Sequence, residues 1–235
     1  MGRATAELFA LEGAKVVVNY NRSEKDALEI VRQINGASPE RAIAIRADVS
    51  NEEDVKEMVS EALERFGKID ILVNNAGVLR HATLDKMENS ELEEMLGTHV
   101  RGTIYCTREA SRNMIERKYG KIVNVTSIAA IGTALSGTTG YAATKAGVVT
   151  LTKRFAFELG KSGINVNCIA PGPFLTDLPG RLLSDKEKAD FAKMTVLNRW
   201  AEPNELVGPA LLLATDAGSY ITGTTLVVDG GFVVS

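Results

Sequence analysis

The 235 residues include only two cysteines and two histidines. Cys106 and Cys168 lie far apart with no partner motif, which predicts two buried thiols rather than a disulfide. With His81 and His99 as the chain's whole imidazole supply, no metal site is expected. Six prolines and 21 glycines are too few for a fibrous or disordered chain. No apolar run is long enough to span a bilayer, so no membrane partner is expected. Charge of one sign is also scarce. The formal net charge is −3 and no basic run tracks phosphates, so nucleic acid is not an expected partner. The opening Met1-Gly2-Arg3-Ala4-Thr5-Ala6-Glu7 has neither the charged nor the apolar region of a signal peptide, which predicts a cytoplasmic protein.

Short apolar runs alternate with longer amphipathic ones. Strands are expected at 16–20, 42–45, 69–73, 121–125, 164–169 and 225–228, most of them β-branched and apolar on both faces, as a parallel sheet buried between helices requires. Between them lie helical patterns. Asn51 caps one, acids fill its first turn, Val55, Met58, Val59, Ala62, Leu63 and Phe66 share a face, and Gly67 stops it. This alternation predicts a single α/β domain over 1–235, a Rossmann-like doubly wound parallel sheet in three layers. Ligands bind such sheets beyond the carboxyl ends of the strands.

One helix opens with Tyr141-Ala142-Ala143-Thr144-Lys145. Residues four apart share a helix face, so the phenol and the ammonium are neighbours. A nearby cation favours the phenolate and is expected to lower the tyrosine pKa, suiting it to exchange a proton with a carbonyl or alcohol oxygen. The alternative is an amphipathic helix with a surface Tyr and Lys. Ser127 ends the strand Val123-Asn124-Val125-Thr126, fourteen residues before Tyr141. Its hydroxyl would hydrogen-bond the same oxygen, or would cap a turn. Asp70 to Gly77 is a strand running into the small residues Asn75, Ala76 and Gly77, against which a flat ring can lie. Asn165 to Thr176 is a strand followed by the turn Pro171-Gly172-Pro173-Phe174-Leu175-Thr176.

Asn74-Asn75-Ala76-Gly77, Ser127, Tyr141-x-x-x-Lys145, Pro171-Gly172, Tyr220-Ile221-Thr222-Gly223 and Val228-Asp229-Gly230-Gly231 together resemble the short-chain dehydrogenase/reductase superfamily over essentially the whole chain. Within it the sequence looks most like 3-oxoacyl-[acyl-carrier-protein] reductases and related sugar or alcohol dehydrogenases. The resemblance implies that Tyr141 is the general acid/base, Lys145 its pKa partner and ribose ligand, and Ser127 the carbonyl stabiliser. Asp48 and Val49 would meet the adenine, and Asn75, Ala76 and Gly77 the adenosine ribose side. Phe174 and Thr176, after Pro171 and Gly172, would hold the carboxamide. Family members are commonly tetramers, so a homo-oligomer, tetramer or dimer, is expected.

Two departures stand out. His99 occupies a position where the family usually has an asparagine that supports a water in the proton relay. It would hold that water, titrate near about pH 6.5, or simply pack in its helix. The family also opens with a strand and a glycine-rich turn that cradles pyrophosphate at a helix N-terminus. Gly2 matches the last glycine of that turn, and the central strand before it is missing from the sequence. Five buried side chains at ~1.5–3 kcal/mol each, roughly 7–15 kcal/mol, would go with it, comparable to the stability of a whole domain. The reading frame is therefore expected to start upstream of Met1. The 235-residue form is expected to bind cofactor weakly, to begin in disorder and to lean on oligomer contacts.

At the end of the second family strand, Asn21, Arg22 and Ser23 offer no carboxylate to a free 2′-hydroxyl, whereas Arg22 and Ser23 suit a 2′-phosphate. NADP is thus expected over NAD, with Arg22 as a plain surface charge the alternative. Val78 to Ala82, the loop from Ile128 to Gly140 and an apolar lid from Leu178 to Leu197, with Leu182, Leu183, Phe191 and Met194, are candidates for the substrate pocket. Arg101 and Arg112 would meet an acidic acyl carrier protein, or belong to solvated helix faces. Three functions stay open: NADP-dependent reduction of a 3-oxoacyl thioester, oxidation of a sugar, polyol or other alcohol, and non-catalytic binding.

Overall fold

The structure is a computed structural model that describes residues 1–133, 135–176 and 184–234. The described strands all pair in parallel. β1 (Val16–Tyr20) pairs with β2 (Ala42–Arg46). β3 (Ile71–Asn74), β4 (Gly120–Val125), β5 (Ile164–Pro171) and β6 (Thr225–Val228) form a second row in that order. Helices cover both faces. On one side α1 (Gly2–Leu11) and α8 (Val207–Ala214) bury Phe9, Leu206 and Leu213 against Val123 and Ile169. On the other, α3 (Glu52–Phe66), α5 (Gly102–Arg117) and α6 (Thr139–Leu159) enclose Val55, Met58, Met114, Ile122 and Val166. The expected three-layer α/β architecture is the one observed.

β1 and β3 are not joined by a ladder among the described residues. All four β3 residues and most of β1 are accordingly only half-buried, whereas β4 is buried throughout. The start of the chain is ordered, contrary to expectation. The Met1 carbonyl accepts from the Thr5 amide, α1 runs from Gly2, and Met1 packs on the core beside Val16, Ile71 and Val73.

Local signals act as their chemistry requires. The Asn51 side chain accepts from the amides of Glu53 and Asp54, and Gly67 closes α3 in the left-handed region at φ 79°. Ser23 stands at the N-cap of α2 (Glu24–Ala37), but its side chain makes no capping bond. Both cysteines are buried and free, and burial pushes the Cys106 thiol up to about 12, which leaves it unreactive.

Asn51→Ala is expected to cost about 1 kcal/mol of stability and Asn51→Ser to restore most of it; denaturant unfolding monitored by circular dichroism checks both.

Candidate active site

The site lies at the carboxyl ends of β3, β4 and β5. Two polar ladders set it there. Asn74 donates to Asn124 (2.8 Å) and to Thr107 (3.2 Å), and Asn124 donates to Thr152 on α6 (2.8 Å). The half-buried Asn74 and the buried Asn124 fix the register of β3, β4 and α6, because a buried amide left unpaired would cost roughly 1–3 kcal/mol. Beyond Asn74 the chain emerges as Asn75, Ala76 and Gly77, all exposed, forming a bare floor. Gly2, at the start of α1, abuts this floor so closely that a Cβ there would lie 2.7 Å from Nδ2 of the Asn75 side chain.

β4 ends in Thr126 and Ser127. Thr126 donates to the Lys145 carbonyl (2.8 Å) and Lys145 Nζ donates to the Val125 carbonyl (2.8 Å), so α6 is tied to the strand at the residue that matters. Lys145 is 4% exposed, and burial lowers its pKa to about 8. Its ammonium lies 5.8 Å from the Tyr141 ring centroid. The expected lowering of the Tyr141 pKa is not found. Burial raises it, the hydrogen bond of the Ser127 hydroxyl only partly opposes this, and the Lys145 ammonium is directed at Val125. Ser127 also caps the turn Ile128–Ile131 through the Ala129 amide (3.2 Å), as the turn-cap reading of this hydroxyl expects.

His99 lies in a π-helical turn, Leu96–Arg101, between α4 (Asn89–Met95) and α5. Such turns rotate a side chain out of the regular helical row. The ring is 1% exposed, meets Tyr141 edge-on at 5.5 Å and is bonded at both nitrogens. Burial, then the Lys145 charge, pushes its pKa down to about 3, so titration near about 6.5 is not its behaviour. Gly97 and Gly102 let this turn pack on Val49 and Ser50; a Cβ on Gly102 would lie 2.9 Å from Val49 Cγ2.

The outer end of the site follows β1 and β2. Asn21 donates to Asp48 (2.8 Å), whose other oxygen accepts from the Ser50 amide and hydroxyl. Burial pushes the Asp48 carboxyl up, but the Ser50 and Asn21 bonds and the Arg22 charge outweigh it and hold it below its ordinary value. Arg22 and Ser23 are exposed. At the inner end β5 finishes at Pro171, and Gly172 passes the Asp229 backbone where a Cβ would meet Cα at 2.6 Å. Phe174 is buried, bridges to Ala201 and, with Thr176, lines a cavity of about 630 Å³ beside Met1, Arg3 and Trp200. Ser127, Tyr141 and Lys145 do not line that cavity.

Exposed small residues, a helix start, a surface guanidinium and an inner threonine therefore run along one strand edge, an arrangement that fits an extended dinucleotide. Asn75, Ala76 and Gly77 would floor it, and Arg22 and Ser23 would meet its outer phosphate.

A family model described as enoyl-(acyl carrier protein) reductase matches residues 1–233. The chain belongs to the short-chain dehydrogenase/reductase family, whose members are NAD(P)-dependent oxidoreductases. It is 38% identical to a 3-oxoacyl-[acyl-carrier-protein] reductase of Synechocystis sp., over 100% of this chain and 93% of that protein. It is 37% identical to a Thauera aromatica subunit named (2S)-[(R)-hydroxy(phenyl)methyl]succinyl-CoA dehydrogenase subunit BbsD, over 98% of this chain and 91% of that one. Among solved structures it is similar to a gluconate 5-dehydrogenase from Burkholderia cenocepacia in complex with NADP and tartrate, with TM-score 0.92, 33% identity and coverage of 99% and 90%.

Several sequence expectations shift in this geometry. Arg101 pairs with Glu93 (3.2 Å) and Arg112 with the buried Glu109 (2.6 Å), and both arginine side chains stay largely exposed in these pairs. Of the lid, Leu182 and Leu183 lie outside the described residues. Phe191, on α7 (Asp185–Lys193), stacks on Phe232 at 6.3 Å and meets Trp200 at 6.0 Å, so it anchors the helix. Thr144 and Thr126 were not singled out in the sequence, although a hydroxyl between Tyr141 and Lys145 on the buried side of the helix was the available sign.

Because the Lys145 pKa falls from 10.5 to about 8 on folding, the unfolded chain binds the extra proton between those values and stability rises with pH there. Between pH 8 and 10 wild type should gain about 2 kcal/mol relative to Lys145→Met; urea unfolding of the two proteins at each pH measures it.

Proposed function

We propose that this protein reduces the carbonyl of a 3-oxoacyl thioester to an alcohol with NADPH, with Tyr141 as the proton donor. The observation that carries this reading is the convergence of the Ser127 hydroxyl, the Tyr141 phenol and the dry Lys145 ammonium beside the bare floor of Asn75, Ala76 and Gly77. NADPH, when bound, supplies hydride to the carbonyl carbon. The chain's own work is to hold the carbonyl oxygen and give it a proton. Ser127 donates to that oxygen and stabilises the charge that grows on it. Tyr141, whose burial keeps it protonated across the neutral range, passes its phenolic proton to the same oxygen. Lys145, with a pKa near 8, restores a proton to the phenol or offsets its charge. The exposed Arg22 and Ser23 support a 2′-phosphate, and a solved relative carries NADP. The thioester is supported by two relatives, one named for an acyl-carrier substrate and one for an acyl-CoA. An acyl carrier protein is then a natural partner, with the exposed Arg101 and Arg112 as candidate contacts. A homo-oligomer, tetramer or dimer, remains part of the proposal. A second reading, oxidation of a sugar acid or polyol, draws on the similarity to the gluconate 5-dehydrogenase.

A panel of 3-oxoacyl thioesters, sugar acids and polyols separates the two readings; turnover of the last two classes alone overturns the first. Tyr141→Phe is expected to lower kcat by about 10²–10⁴-fold while NADPH binding, followed by fluorescence titration, persists. Since the phenol is held protonated, reduction should be fast at neutral pH and the reverse oxidation should accelerate as pH rises toward and beyond 10, the ordinary tyrosine value. Initial rates in both directions across pH test this. Arg22→Ala should reduce the NADPH over NADH preference by about ten-fold or more, read as the ratio of kcat/KM values.

A further inference from the structure

His99 is the one imidazole buried at the site, and its bonding is determinate. The Val78 amide donates to Nε2 at 3.0 Å, so Nε2 carries a lone pair. Nδ1 lies 2.9 Å from Thr144 Oγ1. The Thr144 hydroxyl has a single proton, which it donates to the Tyr141 carbonyl at 2.9 Å. Toward His99 it can therefore only accept, and Nδ1 must hold the ring proton. One tautomer satisfies all three bonds. The opposite tautomer sets Nε2–H against the Val78 N–H, and the imidazolium does the same.

Both ring nitrogens are thus used by protein atoms, which leaves no nitrogen for a water. The ring also links two pieces of the site that no strand ladder connects. Val78 follows the floor residues Asn75 to Gly77, and Thr144 stands in the turn of α6 that carries Tyr141 and Lys145. Gly77 lies between them: a Cβ built there would be 3.4 Å from His99 Nε2 and 3.5 Å from Lys145 Nζ.

We infer that His99 is a neutral positioning residue, fixed as the Nδ1–H tautomer, that clamps the loop after β3 to the first turns of α6 and so sets Tyr141 against the cofactor floor. This rests on the reading of Tyr141 as proton donor. His99 does not carry protons, because accepting one breaks the bond to Val78. The charged group acting on the ring is the Lys145 ammonium, and the Tyr141 ring meets it edge-on; burial and Lys145 both oppose a charge on it.

The test is two-bond ¹H–¹⁵N imidazole spectroscopy on the full chain, with His81→Gln removing the other histidine's signals. The expected spectrum shows a protonated Nδ1 and an unprotonated Nε2, unchanged from pH 5 to 9. A protonated Nε2, or a midpoint between pH 5 and 8, overturns the inference. Kinetics give an independent reading. His99→Leu and Thr144→Val should lower kcat by about 10- to 100-fold with KM for NADPH little changed, and His99→Gln, whose amide offers both an acceptor and a donor, should recover much of the loss. The pH midpoints of kcat should be the same in wild type and His99→Gln; disappearance of one limb in the variant overturns the inference. If the spectrum is as expected but no carbonyl substrate turns over, the proposed activity falls and the tautomer assignment stands.

Discussion

Helix α6 is held to strand β4 by polar side chains that bind each other's backbone, and the position of every reactive group follows from that seam. Lys145 reaches back to the Val125 carbonyl, Thr126 reaches forward to the Lys145 carbonyl, and Asn124 and Thr152 close the seam two turns further along. Apolar packing alone would allow the helix to slide or roll by a fraction of a turn at modest cost. Directional bonds in a dry interior do not, because each broken one strands a polar group away from water. The ammonium is thereby kept beside the phenol even though burial disfavours its charge.

The same seam explains the acid–base character of the site. A buried phenol resists ionisation and a buried ammonium sheds its proton more readily, so the two ordinary pKa values move toward each other's tasks: the tyrosine stays a donor and the lysine becomes a group that exchanges. The sequence spacing of Tyr141 and Lys145 showed that they are neighbours. It did not show how far folding would withdraw the phenol from water, and that burial reverses the expected sign of the tyrosine shift.

Much of the fold was legible because its signals are local. The β-branched runs ending near Asn74, Val125 and Pro171, the Asn51 cap and the Gly67 stop each act within a few residues. Ser127, Tyr141 and Lys145 were legible for the same reason, as one strand end and one helix face. What was not legible depends on partners distant in sequence. The role of His99 is decided by Val78 and Thr144, 21 and 45 positions away, and its π-helical turn has no simple periodic signature.

The chain contains one tryptophan, and it packs against α7. Trp200 donates its indole N–H to the Lys188 carbonyl at 2.8 Å and leans on Phe191, which in turn stacks on Phe232 near the carboxyl terminus. Trp200 also borders the cavity shared with Thr176 and the start of α1. The protein therefore carries a built-in optical probe: a single emitter, free of background from other indoles, placed between α7 and the cavity at Thr176.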